Sequence, residues 1–126
     1  MKLRMLGDSL RLRLTMSETQ SIGEGQSVAE TTSFPDGSVM AYVLSVAGEQ
    51  VSAGMAMHQG QHQLLIKIPL SLAEHWSHST DVGLGGDEPL YIDGLQILIE
   101  KDFDCVSPRL GDEGRDTFPN PSHSDC

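Results

Sequence analysis

Every second residue from position 10 to position 14 is a leucine, and arginines fill the positions between. Because successive side chains of a strand point to opposite faces, this period of two predicts a strand with one apolar and one basic face. Residues 2–6 precede it and are also largely apolar or alternating. The Gly7-Asp8 dipeptide between the two stretches is typical of a hairpin turn, so the chain is predicted to open with a strand pair.

Two short helices are predicted, each directly after a strand. A hydroxyl at Thr15 or Ser17, followed by acidic residues, suits a helix N-cap, and Gly23 ends that helix. Pro69 and the serine after it open the second helix, which runs to about His78. Further strands are predicted at 27–33, 38–46, 50–57, 62–68, 81–85 continued by 90–92, and 95–101.

The two halves of the chain resemble each other at a constant offset. Residues 10–17 align with 64–71, and an apolar helix residue and a later valine also match at that offset. This match favours an internal repeat of about 9–46 and 63–101, with chance similarity as the alternative because few positions are identical. Two such strand–helix–strand units could pack about a pseudo-twofold axis as a closed or half-closed barrel, which would protect the strand edges.

The fold predicted from these patterns is β-rich α+β, with about seven to nine strands and two short helices. The 126 residues suit a single domain, predicted at 1–105, in which Trp76 fills the core. Residues 106–126 contain four acidic residues, three prolines and few apolar residues, which predicts a C-terminal arm without packed elements. Phe118-Pro119 is expected to dock on the core and order part of that arm.

The charge of the chain changes which partners are expected. Eighteen acids against eight bases give a formal net charge of −10. Such a surface repels phosphate backbones and anionic membranes, so neither nucleic acid nor a membrane is an expected partner. Charges interrupt the apolar residues at the start of the chain, which lacks the apolar core of a signal peptide. Two cysteines do not indicate a disulfide framework, and the expected location is the cytoplasm.

The chain carries the motifs KLR and GDSLRLRLT within 2–15, ETTSF at 30–34, EKDFDC at 100–105 and FPNP at 118–121. Through these motifs it resembles a family of small bacterial proteins of unknown function. The resemblance implies a stand-alone bacterial cytosolic protein whose domain includes the segment around Cys105. It implies no activity, cofactor or catalytic residue.

A metal site is one candidate chemistry. Cys105, His123 and Cys126 could supply thiolate and imidazole ligands to zinc or another transition metal, although paired Cys-x-x-Cys spacing is absent. The alternative for Cys105 is an ordinary structural thiol, because the neighbouring acids raise a thiol pKa. Two histidine pairs are further candidate ligands, the first expected to face across a hairpin turn and the second to lie on one helix face: His58 with His62, and His75 with His78.

Three functional hypotheses follow, and no cofactor is expected in the first. The first is a small non-enzymatic binding or interaction protein, whose acidic arm contacts a protein partner or a second copy in a homodimer. Its predicted partner-binding residues are Asp112, Glu113, Asp116 and Phe118.

The second hypothesis is a metal-binding or redox-responsive protein that uses Cys105. The third is an enzyme with a carboxylate-lined pocket, in which Asp102 or Glu100 acts as a base. Its catalytic residues are otherwise unknown, because no catalytic motif marks them.

Overall fold

The computed structural model of the chain describes residues 1–103 and 116–119. Eight strands and two helices lie in the first of these ranges, which makes the fold β-rich α+β as predicted. The elements are β1 (Lys2–Met5), β2 (Ser9–Leu14), α1 (Met16–Gly23), β3 (Val28–Ser33), β4 (Val39–Val46), β5 (Ser52–His58), β6 (Gln61–Ile68), α2 (Leu70–His78), β7 (Leu90–Ile92) and β8 (Leu95–Lys101).

The strands form two four-stranded sheets. The first sheet has the order β1-β2-β8-β7, and the second has the order β3-β4-β6-β5. In each sheet two antiparallel hairpins meet through a parallel central pair, β2 with β8 in the first sheet and β4 with β6 in the second. Over the described residues the two sheets do not close on each other, so the structure has no closed barrel. Four edge strands remain: β1, β7, β3 and β5.

Each sheet combines one hairpin from the first half of the chain with one hairpin from the second half. Each half runs hairpin, helix, hairpin, and its first hairpin lies in one sheet while its second lies in the other. The second half therefore follows the same path as the first. Two copies of one unit related by a twofold axis would give this strand order, and the duplication of the sequence stays a prediction.

Tight turns fix the register of the hairpins. Asp93 and Gly94 between β7 and β8 have φ values of 46° and 89°. Positive φ at both central residues is the type I′ geometry, whose twist matches that of the flanking strands. Gly7 has a φ of 54° in the turn between β1 and β2, where the Leu6 amide donates to the Ser9 carbonyl at 3.0 Å. The hairpin predicted at the start of the chain is confirmed.

The core lies between the inner faces of the two sheets and the helices. The alternating leucines of β2 point inward, as their period predicts. Trp76 of α2 is completely buried, and its Nε1 donates to the Val82 carbonyl at 3.1 Å, which confirms that this residue fills the core. The largest fully buried side chains are Trp76, Leu12, Leu14, Ile22, Leu44, Ile66, Ile68, Ile97 and Ile99.

The helices pack on each other and begin in different ways. Thr15 caps α1 and shares a capping box with Glu18, whereas α2 follows Pro69 and has no side-chain cap. The two helices approach closely where Gly23 of α1 lies against Ser77 of α2. In the described parts of the chain, neither helix has the length and apolarity needed to cross a membrane.

One predicted strand is replaced by turns. Residues 81–85 were expected to start a strand that 90–92 continues. Only a single bridge, between Gly83 and Glu100, forms there. A Cβ at Gly83 would lie 2.8 Å from the Gly86 carbonyl oxygen, so the backbone folds tightly on itself at this point. Glycines at 83, 85 and 86 favour such turns over a continuous ladder.

Candidate anion-binding site

The outward side of the first sheet, called the basic face below, collects positive charge. Lys2 and Arg4 of β1 point outward, and so do Arg11 and Arg13 of β2. These are four of the eight lysines and arginines in the chain. The alternation that buries the leucines of β2 therefore presents its arginines to solvent, as the sequence pattern predicted.

The register of the hairpin places like charges opposite each other. Lys2 is the cross-strand partner of Arg13, and Arg4 is the partner of Arg11. Directly opposite side chains on antiparallel strands lie close together, and like charges at such positions destabilise the pair. The basic face is consequently a place where an added negative charge would stabilise the sheet.

The four cations differ in how far nearby carboxylates neutralise their charge. Glu100 of β8 lies on the same face, with its Oε1 3.2 Å from the Arg11 Nε and 4.0 Å from the Arg13 Nε. The Lys2 Nζ is 3.6 Å from an oxygen of the buried Asp102. Within the described residues Arg4 forms no ion pair. The face as a whole keeps a positive surplus that is concentrated near Arg4.

A hollow of about 150 Å³ lies beside this surplus. Its walls are Arg4, Leu6, Ser9, Arg11 and Leu98. Two guanidinium groups and one hydroxyl supply hydrogen-bond donors, and two leucines supply apolar contact. Guanidinium groups bind carboxylate and phosphate oxygens through paired hydrogen bonds, and an apolar wall strengthens such bonds by limiting access of water. The arrangement suits one small anionic group.

Lys101 does not add to this surface, because it points inward from the end of β8. Its Nζ donates to the Ser79 carbonyl at 2.6 Å and lies 5.9 Å from the ring centre of Trp76 and 5.8 Å from that of Phe118. Burial lowers the pKa of Lys101, and the nearby Asp81 opposes that shift. This lysine holds the end of α2 and the segment at 116–119 against the core.

Asp116 and Phe118, two of the predicted partner-binding residues, contact the chain itself. An Asp116 carboxylate oxygen accepts from the hydroxyl and the amide of Ser17, at 2.7 and 3.2 Å. The hydrogen bond from the Ser17 hydroxyl lowers the pKa of Asp116. The Phe118 ring lies 5.3 Å from that of Phe103. Asp112 and Glu113 lie outside the described residues, and a partner contact through these four residues stays a prediction.

Asp116 and Phe118 also line a groove of about 540 Å³ beside the two helices, together with Met16 and His78. Asp116 is already engaged with Ser17 in that groove. His78 is also occupied, because its Nδ1 lies 2.8 Å from the Glu74 carbonyl oxygen. The groove thus offers fewer unengaged polar groups than the hollow of the basic face.

The predicted metal ligands Cys105, His123 and Cys126 lie outside the described residues. Among the residues that are described, no three histidine, cysteine, aspartate or glutamate side chains come together as a metal cluster. His58 and His62 do not face each other, because His62 is the cross-strand partner of Met57 and therefore lies on the opposite side of the hairpin. His75 and His78 do line one cleft on α2, as expected from their spacing.

The carboxylates proposed as catalytic bases have structural partners. Glu100 is held by arginines on the basic face, and Asp102 is buried beside Lys2. Neither lines the hollow or the helix groove. A role of either carboxylate as a catalytic base stays a prediction.

The local signal for the basic face is the alternation of leucine and arginine in β2, together with the turn that precedes it. A two-residue turn at Gly7-Asp8 sets the register of the hairpin, and the register alone pairs Arg4 with Arg11. The contribution of Leu98 and Glu100 could not be foreseen, because it depends on the parallel pairing of β2 with a strand about 80 residues later.

Comparison with known proteins adds a family but no function. No curated protein and no solved structure matches the chain. One protein family, described as a family of unknown function (DUF7009), matches residues 1–122. Because this match covers nearly the whole sequence, the chain belongs to the DUF7009 family.

Proposed function

We propose that this chain is a non-enzymatic binding protein that holds an anionic group on the basic face. The observation that carries the proposal is the direct opposition of Arg4 and Arg11 beside the hollow that both of them line. A carboxylate or phosphate group in the hollow would accept hydrogen bonds from both guanidinium groups and from the Ser9 hydroxyl.

The electrostatics of the face support binding over a purely structural role. Glu100 compensates Arg11 and Arg13, but no described carboxylate compensates Arg4. An anion would relieve the repulsion between the paired arginines, so its binding energy would add to the stability of the fold. Anion binding should therefore raise the melting temperature as well as occupy the hollow.

The size and overall charge of the protein restrict the ligand. A net charge of −10 repels an extended polyanion, and the positive surplus covers one sheet face only. A hollow of about 150 Å³ holds one acidic group and not a chain of them. The proposed ligand is therefore a small molecule or a protein side chain with one carboxylate or phosphate, met in the cytoplasm.

Titration followed by NMR tests the proposal. Inorganic phosphate and acetate, added separately to isotope-labelled protein, should shift the backbone amide signals of Ser9 and Arg11 saturably. The anion that binds more tightly indicates whether the acidic group of the natural ligand is a phosphate or a carboxylate. Chloride at the same ionic strength serves as the reference, because an equal response to chloride would mean nonspecific screening and would contradict the proposal.

Paired variants locate the site. Arg4→Gln removes the uncompensated charge, so the affinity for the better anion should fall by about tenfold. Lys67→Gln removes an exposed charge from a strand of the second sheet and should leave the affinity unchanged. Equal losses in the two variants would show that only the net charge matters.

A further inference from the structure

The outward side of the second sheet, called the neutral face below, differs sharply from the basic face. It consists of the outward positions of β3, β4, β5 and β6. Among those positions Lys67 is the one lysine or arginine, and none is aspartate or glutamate. In a chain with 18 acids, a whole sheet face without a carboxylate is a distinct surface.

The centre of the neutral face is apolar. The strand register aligns Ala29, Val43, Leu65 and Gly54 in one row across all four strands. Ala41 and Gln63 occupy the middle of the next row. Val43, Leu65 and Ala41 are only half-buried, because no helix covers this side of the sheet in the described part of the chain. Burial of this partly exposed apolar centre against another protein would be favourable.

Charge indicates what covers this face. Two copies of a chain with a net charge of −10 repel each other, and most approaches bring acidic surfaces together. Contact through the neutral face avoids that repulsion, since neither copy contributes a carboxylate. A strongly charged partner of another kind would meet only one lysine charge on this face, that of Lys67. The surface therefore suits a second copy better than an acidic or a basic partner.

The dimensions of the sheet are sufficient for a weak dimer. Strands about 4.8 Å apart that rise about 3.3 Å per residue give the face a flat footprint of roughly 500 Å². Two copies would bury roughly 1,000 Å² in total, near the lower limit of specific interfaces. A flat face can pack against itself about a twofold axis, which makes the contact closed and self-limiting.

We propose that two copies of this chain associate through their neutral faces to form a symmetric dimer. The second sheet of one copy packs face to face against the second sheet of the other, with Val43 and Leu65 at the centre of the contact. The basic faces then lie on the outer sides of the dimer and remain open to ligand. This inference rests on the second sheet alone and does not depend on the proposed anion site.

Sedimentation equilibrium of the full chain tests the dimer. Wild-type protein should show twice the mass of one chain at concentrations of about 100 µM and dissociate on dilution. Val43→Asp places a negative charge in the centre of the contact on both copies and should weaken association by at least tenfold. Tyr91→Asp is the matched control, since it adds the same charge at an exposed position of the first sheet and should leave the dimer intact.

The response to salt separates this contact from any association through the basic face. Raising NaCl from about 50 mM to about 500 mM should strengthen or preserve the dimer, because it screens the repulsion between two acidic chains. A dimer that dissociates in salt would instead rely on opposite charges and would overturn the proposal. A wild-type chain that stays monomeric at about 100 µM, or a Val43→Asp variant that dimerises normally, would also overturn it. Circular dichroism of both variants establishes that they remain folded.

Discussion

Glu18 performs two structural tasks with a single carboxylate. One oxygen accepts from the Thr15 amide at 2.9 Å and completes the capping box of α1. The other accepts from the Met1 amino group at 2.6 Å. Burial alone would raise the pKa of Glu18, but the hydrogen bonds from Met1 and Thr15 outweigh it, so the pKa is lowered from its ordinary value of 4.5.

This shift gives the fold a defined acid sensitivity. Because the pKa of Glu18 is lower in the folded than in the unfolded chain, its charged form stabilises the fold above the ordinary glutamate pKa. That contribution is lost as the pH falls through the lowered pKa. We expect Glu18→Gln to reduce the free energy of unfolding at pH 7 by about 1 kcal/mol. Urea unfolding at pH 7 and at a second, acidic pH should show the difference shrink as Glu18 gains a proton.

Glu24→Gln provides the comparison at the other end of α1. Glu24 is exposed, and in the described part of the chain its side chain accepts a hydrogen bond from Gln20 of α1. Its removal should change stability by less than about 0.5 kcal/mol at either pH. A Glu18 variant that behaved like this one would mean that the paired hydrogen bonds contribute nothing.

At the scale of elements, the two helices meet at a point that tolerates no side chain. A Cβ added at Gly23 would lie 2.5 Å from the Cβ of Ser77, which is fixed to the backbone of α2. We expect Gly23→Ala to destabilise the fold by about 1–2 kcal/mol, because the steric conflict exceeds the gain in helix propensity. Thermal unfolding measures the loss.

A double-mutant cycle identifies the cause of that loss. Ser77→Gly removes the conflicting atoms, so it should recover much of the stability lost in Gly23→Ala. Gln20→Ala, on the exposed side of α1, should have an effect below about 0.5 kcal/mol. Additive effects of the changes at Gly23 and Ser77 would refute the close helix contact.

The elements were largely predictable where the side-chain pattern is local. The leucine alternation of β2, the helix start after Thr15 and the burial of Trp76 depend on neighbouring residues, and the structure confirms each of them. The strand predicted at 81–85 does not form, because the glycines there favour turns more strongly than the apolar residues between them favour an extended chain. The pairing of β2 with β8 could not be derived, since no local pattern encodes which distant strand completes a sheet.

At the scale of the whole molecule, neither half can complete a sheet alone. The first sheet needs β7 and β8 from the second half, and the second sheet needs β3 and β4 from the first. We expect fragments 1–49 and 50–126 to lack cooperative thermal unfolding when separate and to regain it when mixed. Circular dichroism of each fragment and of the mixture measures this. A cooperative transition in fragment 1–49 by itself would mean that the exchange of hairpins is not essential.

The parallel pairing of β2 with β8 also has a consequence for biosynthesis. About 80 residues separate the two strands, so at synthesis rates of about 5–20 residues per second β2 leaves the exit tunnel roughly 4–16 s before its partner. During that interval the leucines of the nascent hairpin have no sheet to cover them. Chaperones that bind apolar segments of nascent chains would therefore be expected to bind this hairpin, and the yield of native protein should fall when they are absent.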